Sequence, residues 1–585
     1  MAHKPHPNPA RKQQYQLEDQ ANLLPKKQVI IVFSALACIL LVTFIDQNSV
    51  GVMLTTIGGD LHAENTISWA ATANLIANTT FQVLYGRLSD IFGRKGVLLT
   101  AIVLLAVGDL GCGFAQSGPQ LYALRGLSGV GSAGITALSM MVTSDIVTLR
   151  ERGKYQGILG SCVGLGNIIG PFISAAFTEK ATWRATFWFI SPLAIVAGGI
   201  VLIVLPQKKP KDSFMSKIRK VDFIGSFFST AGMILLLIPI SGGGSYFDWR
   251  SVMVIVMIIF GALCMVAFVL VEWKVAQLPT MPLRLFKNRA VCAILAQNFL
   301  FGSVYYSILY YVPLALQNVR GLSPLASAGV IAAMVGAQSF TSVASGQYIS
   351  RTGRYGEVLW FGYGVWTVGA ALSCMFSRSL PIWAMAIFLF VEGIGVGNCF
   401  QPTLVASQAH CVKADRAVVI STRNFCRTFG AATGLAVCAA IFSNVLQSRL
   451  PPASALPDSF RQTVTASIFK TPDLTTLTQT QRDGVLNAYA DASRAVFILW
   501  APTMFVCFLS MVFVEDKGLE RPDELSSSPP GQVVAVESGP EEVEKQGETR
   551  EKERESSSQK AEADVGQGAT TIGTDDARYN RREEV

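Results

Sequence analysis

The chain has 585 residues, of which 50% are hydrophobic and only 15% charged, with a formal net charge of +8. A soluble globular protein carries about 25% charged residues, so this composition points to a membrane protein and away from a string of soluble domains. The charge is also divided: residues 515–585 hold 19 acids and 10 bases, leaving +17 on the body and −9 on the tail, which excludes a uniformly basic surface and a nucleic-acid partner.

In chain order, the first 28 residues are polar and include Lys4, Arg11, Lys12, Lys26 and Lys27, so no secretory leader is expected. Fourteen apolar blocks follow, at 29–57, 67–86, 96–115, 121–147, 155–178, 184–205, 221–241, 250–271, 290–317, 323–346, 356–376, 380–405, 418–444 and 494–514. Each is long enough to cross roughly 30 Å of hydrocarbon as a helix, and none shows the alternation of a barrel strand. With the N-terminus inside, the short inner segments hold about four times as many Lys and Arg residues as the outer ones, as the positive-inside rule requires. An even number of spans puts both termini in the cytoplasm; the plasma membrane is the expected location, with a vacuolar or vesicle membrane the alternative. One connection, 445–493, is long and expected to be extracellular, Pro, Ser and Thr rich at first and helix-like near Gln481 to Ala492. The tail 515–585 has too few apolar residues to bury a core and is expected to be disordered.

Cysteine and histidine usage add little chemistry. Nearly all of the eleven cysteines lie in apolar blocks with no C-x-x-C pair, as buried small side chains do. The four histidines, His3, His6, His62 and His410, form no cluster. Neither a metal site, a cofactor nor an enzyme is expected, and no G-x-x-x-x-G-K-[ST] loop is present to bind ATP.

Two short loops repeat each other. Gly86-Arg87-Leu88-Ser89-Asp90-Ile91-Phe92-Gly93-Arg94-Lys95 joins spans two and three, and Gly346 to Tyr355 joins spans ten and eleven, with Gly346 and Gly353 spaced as Gly86 and Gly93 are and Arg354 following. The chain therefore reads as a tail 1–28, a six-helix bundle 29–205, a linker 206–289 with two extra spans, a second six-helix bundle 290–514 and the acidic tail 515–585. Duplicated bundles of this kind place a substrate site between them near mid-membrane.

Gly86 to Lys95 resembles the loop signature G-x-L-a-D-r-x-G-r-k of the major facilitator superfamily. Leu124 to Gly131 resembles that family's fourth-helix motif, and Gly166-Asn167-Ile168-Ile169-Gly170-Pro171 its fifth-helix G-x-x-x-G-P motif, associated with antiporters. With fourteen spans and Ile45-Asp46-Gln47 late in span one, the sequence is similar to the 14-span drug:proton antiporter branch, particularly fungal members. It departs from the pattern at Ile91, Ser128 and Ser174-Ala175. The resemblance implies an all-α polytopic membrane protein of the major-facilitator fold, two six-helix bundles plus two inserted helices. It also implies a monomer that exports small amphipathic or hydrophobic compounds, such as a drug, toxin or secondary metabolite, in exchange for protons. A facilitator or importer of a metal-chelate or organic acid is the alternative within the class, and a non-transporting receptor or scaffold the alternative outside it.

Ionisable residues inside spans are the sharper signal, because each costs roughly 2.5–3.5 kcal/mol at mid-bilayer and must face a partner or a cavity. Arg125 and Asp46 are the leading pair; by the resemblance Arg125 takes part in proton coupling. Glu392 and Asp109 are further protonatable candidates, with a salt bridge or an interfacial position as the alternative reading. In the signature loop, Gly86 and Gly93 permit a tight connection, Asp90 can accept from a neighbouring helix N-terminus, and Arg94 can bridge the halves or meet lipid headgroups. Gly166, Gly170 and Pro171 flatten and bend one helix against another. Asn74, Asn78 and Gln82 recur every four residues and share one face, expected to line a substrate cavity. Gln297 and Tyr305 on span nine, with Gln338 and Gln401, are expected to complete it. Arg423 and Arg427, one turn apart at the start of span thirteen, read as positive-inside residues or as partners for the signature loop.

Overall fold

The computed structural model describes residues 25–63, 66–67, 69–206, 221–242, 247–276, 278–412, 415–451 and 477–519. Most of the N-terminal tail, the acidic tail from 520 onward and the middle of the long connection lie outside the described residues.

Within them the chain is helical. The elements are α1 (Lys26–Asp60), α2 (Trp69–Phe92), α3 (Arg94–Gly113), α4 (Gly118–Ile146), α5 (Leu149–Lys180), α6 (Arg184–Val204), α7 (Phe223–Gly242) and α8 (Val252–Lys274). There follow α9 (Arg289–Arg320), α10 (Pro324–Thr352), α11 (Gly356–Ser373), α12 (Ile382–Phe400), the short α13 (Pro402–Ala409), α14 (Arg416–Arg449) and α15 (Gln479–Ser510). Twelve helical stretches among the described residues are long and apolar enough to cross a membrane. Two long helices, α2 and α11, fall outside that set; α2 buries Asn74, Asn78, Gln82, Arg87 and Ser89 against other helices rather than offering them to lipid.

Helix ends follow local chemistry. Ser323 Oγ accepts from Ala326 N (3.2 Å) to start α10, and Ser251 Oγ accepts from Val254 N (3.3 Å) to start α8. Gly93 (φ 95°) alone separates α2 from α3, and Gly353 (φ 73°) ends α10, so the second glycine of each repeated loop sits where an L-residue would be strained. The long connection is shorter than the sequence suggested, because α14 runs to Arg449 and α15 starts at Gln479 instead of 494. Polar residues hide that start, yet Val485, Ala488, Tyr489, Ala492 and Val496 form a buried helical stripe. Thr478 N donates to Gln481 Oε1 (3.0 Å), and Asp483 on the exposed side pairs with Arg378 (2.9 Å).

Helices α1–α6 pack among themselves, as do α9–α15. The two groups meet along two seams, α5 against α10 and α2 against α14. Small residues make the first seam possible. Gly153, Gly157, Gly160 and Gly164 recur along α5 opposite Gly346, Ser342 and Ser339 of α10, and a Cβ on Gly346 would run into the Gly153 carbonyl. The inserted pair α7–α8 packs on itself, and α7 also covers the second seam: Leu237 packs with Ile76 and Ala432, and Met233 with Val83 and Phe425. Helix α8 turns most of its surface outward, with Val252, Ile259, Leu263 and Val266 more than half exposed; such a face is at home in hydrocarbon.

Candidate functional site

Three ionisable side chains meet inside the first helix group. Arg125 on α4 places Nη1 2.6 Å from Asp46 Oδ1 of α1 and 3.4 Å from Asp109 Oδ1 of α3, and all three residues are at most 1% exposed. The Arg125 guanidinium also lies 5.8 Å from the Phe187 ring centroid. Asp46 Oδ2, Asp109 Oδ2 and Arg125 Nε have no hydrogen-bond partner among the described residues. Two carboxylates around one guanidinium leave an unbalanced negative charge in a buried place, which one bound proton would neutralise. Three of the four residues singled out for proton coupling are thus brought together. The fourth, Glu392, lies elsewhere: buried on α12, it accepts from Ser373 Oγ of α11 and has no charged partner among the described residues.

The span-two amides do not form one wall. Asn74 Nδ2 donates to Ser128 Oγ (3.1 Å) and Arg125 O (3.3 Å), supporting the helix that carries Arg125. Gln82 Oε1 instead accepts from Thr428 Oγ1 of α14 (3.2 Å), across the seam, while Asn78 is buried between them. Ser128, where the motif departs from the family pattern, supplies one of the two α4 acceptors for Asn74.

The signature loop also differs from expectation. Gly86 lies inside α2, where a Cβ would meet the Ser421 side chain of α14, so it serves a close helix approach rather than a turn. Asp90 pairs with Arg94 (2.8 Å) and more loosely with Arg87 (3.6 Å), so guanidinium groups take the place of a helix N-terminus. Arg94 stays within its own helix group, donating from Nε to Asp145 of α4 (2.8 Å). The second copy is not a mirror image. Arg354 makes an exposed pair with Glu357 (2.8 Å), an interaction worth little in water. At that end Arg150 of α5 donates to Ser350 O and Arg351 O (3.3 Å each). In the fifth-helix motif, Gly166 and Gly170 lie against Phe44 and Ile45 of α1, and Pro171 follows within the same unbroken helix.

Asn167, between those glycines, joins the groups at mid-helix. Its Oδ1 accepts from Asn48 (2.8 Å), and its Nδ2 donates to Tyr305 Oη of α9 (2.9 Å). Tyr305 Oη donates in turn to Gln338 Oε1 of α10 (3.1 Å). Of the remaining cavity candidates, Gln401 is buried with neither amide atom partnered among the described residues. Gln297 is removed from the group, since its amide donates to Ser510 Oγ (2.9 Å) and Cys507 O (3.3 Å), packing α9 on α15.

Sequence reasoning missed the cationic part of this site. Arg423 and Arg427 are both at most 1% exposed, and neither has a carboxylate partner among the described residues. Arg423 donates to Phe400 O, Thr403 Oγ1 (2.9 Å) and Asn424 Oδ1 (3.0 Å). Arg427 lies 4.5 Å from the Phe400 ring centroid, with Nε and Nη1 unpartnered among the described residues. Phe400 also touches Tyr305 (6.5 Å between centroids), so the two guanidinium groups, Tyr305 and Phe400 form one cluster. Their neighbours Asn424 and Thr428 contact Met140 and Gln82 of the first group (3.5 and 3.2 Å), which puts the cluster at the seam. They are neither surface charges nor partners of the signature loop.

A family model described as Major Facilitator Superfamily matches residues 36–435. The chain is 48% identical over 510 residues to Citrate exporter 1 of Yarrowia lipolytica (strain CLIB 122 / E 150), covering 87% of this chain and 76% of that protein. It is 39% identical over 511 residues to MFS-type transporter clz4 of Cochliobolus lunatus, covering 87% and 90%. Among solved structures, the proton:xylose symporter XylE matches with a TM-score of 0.55 at 12% identity, covering 86% of this chain and 99% of that one; at that identity the likeness is one of fold. The apolar helices, the loop and helix motifs and these matches agree: the chain belongs to the major facilitator superfamily, a multi-pass integral membrane transporter and not an enzyme.

Proposed function

We propose that this protein exports small carboxylate anions of the citrate class by alternating access. Fourteen spans are arranged as two six-helix bundles and an inserted pair, with both termini in the cytoplasm and the plasma membrane as its location. The observation that carries the reading is the pair Arg423 and Arg427, two buried guanidinium groups at the seam with no carboxylate partner among the described residues. Burying a charge unpaired is expensive, and a substrate carboxylate is the partner that relieves the cost, in a geometry a guanidinium fork matches. Tyr305, Gln338 and Gln401 add hydrogen-bonding groups, and the relative named as a citrate exporter supports the same substrate chemistry. The energetics fit. With the cell interior negative by about 100 mV, each negative charge leaving gains ~2.3 kcal/mol, so a trianion gains roughly 7 kcal/mol without any proton. In proteoliposomes, Arg427→Gln is expected to lower citrate exit about 10- to 100-fold, the value of a charge-assisted hydrogen bond; an unchanged rate rejects the assignment.

The Asp46–Arg125–Asp109 cluster favours a second reading, proton-coupled efflux of an amphipathic neutral compound, with the cluster as the protonatable site. One proton entering across about 100 mV and one pH unit supplies ~3.7 kcal/mol, enough to drive an uncharged substrate outward. Export that follows an imposed pH gradient, ignores the potential beyond one charge and tolerates Arg427→Gln selects this reading.

A further inference from the structure

The segment 278–288 connects the inserted α7–α8 pair to α9, and it touches both helix groups at the end where α2 turns into α3. Arg87 of α2 donates from Nε to Pro279 O (2.6 Å). Five residues on, Arg284 makes a two-point pair with Asp415, Nε to Oδ2 at 2.7 Å and Nη2 to Oδ1 at 2.6 Å. Asp415 immediately precedes α14, is 2% exposed, and also lies 3.9 Å from Arg87 Nη2. The segment is fixed from both ends. Buried Glu272, near the end of α8, accepts from Thr280 N (2.8 Å) and Met281 N (3.3 Å) through Oε1. Asn288 donates to His410 O (3.0 Å) while its Oδ1 accepts from Ala290 N (3.0 Å) at the start of α9. Leu283–Lys287 forms a 3-10 turn between these anchors.

These contacts lie at an end of the seams where hydrogen bonds join the two helix groups. There Arg150 bonds to the carbonyls of Ser350 and Arg351, and Arg152 donates to Gln408 Oε1 (3.0 Å). An insertion that merely lengthened the chain would need no buried carboxylate organising its exit and no bidentate pair to the start of α14. We propose that the segment 278–288 is a strap that holds this end of the transporter closed. Asp415 is its positioning residue, drawing the insertion's Arg284 and the signature loop's Arg87 onto α14. Opening this end moves α2 away from α14, so it must break the Arg87 contacts to Pro279 and Asp415 or pull the strap off Asp415. The strap therefore sets the ratio of the two access states. The proposal rests on alternating access and not on which substrate is carried.

The test is hydrogen–deuterium exchange on the full-length protein in lipid nanodiscs with no substrate added. Arg284 is half exposed, at 52%, so Arg284→Ala should fold. Peptides covering 150–160 and 342–352 are expected to exchange about fivefold faster or more in Arg284→Ala, the lower range of coupling between two-state elements. The rise should be larger in Asp415→Asn and intermediate in Arg284→Lys, which keeps the charge but loses the fork. The peptide 133–141 in the core of α4 should not change. Equal exchange in all variants, or a rise of the same size in 133–141, overturns the strap. Because no substrate enters the measurement, a failure of citrate transport leaves this result standing, and the reverse also holds.

Discussion

Asp109 and Arg125 differ in what their loss would do, and the cluster's charge balance fixes the sign. Arg125 faces two carboxylates, so Arg125→Ala leaves both buried without a cation, a change that costs about 3–5 kcal/mol. Asp109→Asn removes the surplus negative charge and keeps the 2.6 Å Arg125–Asp46 pair. A thermal-melt comparison in detergent is expected to show Arg125→Ala well below the parent and Asp109→Asn at or above it. If the cluster is the proton site, Asp109→Asn also loses any response of transport to a pH gradient. These residues were legible in the sequence because an ionisable group inside an apolar block must find a partner or a cavity. Arg427 was not. Counted in one dimension it falls near a helix start, where positive-inside charge is expected, and only the packing of α14 against α9 and Phe400 shows it buried.

Helix contacts explain where hydropathy reading succeeds and where it stops. The apolar blocks locate the lipid-facing helices well, and α8 is the clearest of them because little of it is buried. Helix α2 reads as an apolar block at 67–86, yet its polar residues are spent on α4 and α14. The start of α15 was hidden because a helix projecting beyond the membrane carries charge on its wet side. The α9–α14 crossing yields a stability prediction. A Cβ on Gly302 would run into the Arg427 carbonyl, and one on Gly430 into the Phe299 carbonyl, so backbone and not a flexible side chain must yield. Gly302→Ala and Gly430→Ala are each expected to cost about 1–3 kcal/mol or more and to lower the yield of monodisperse protein, while Gly329→Ala, which meets open space, should not. Fluorescence-detected size-exclusion profiles check this.

For the molecule as a whole, the division of charge, +17 on the body against −9 on the tail, is a statement about orientation. Epitope tags at residues 1 and 585 are expected to be reachable by antibody only after cells are permeabilised; staining of either tag in intact cells contradicts the topology. The membrane potential, interior negative, makes export of a polyanion downhill, which ties the buried arginine pair to a direction of transport. The decisive measurement loads proteoliposomes with labelled citrate at equal pH on both sides and imposes a potassium diffusion potential, interior negative. Exit is expected to accelerate with the potential, and Arg427→Gln to abolish the acceleration. Exit that ignores the potential, or that survives the loss of Arg427, contradicts citrate export through the arginine pair.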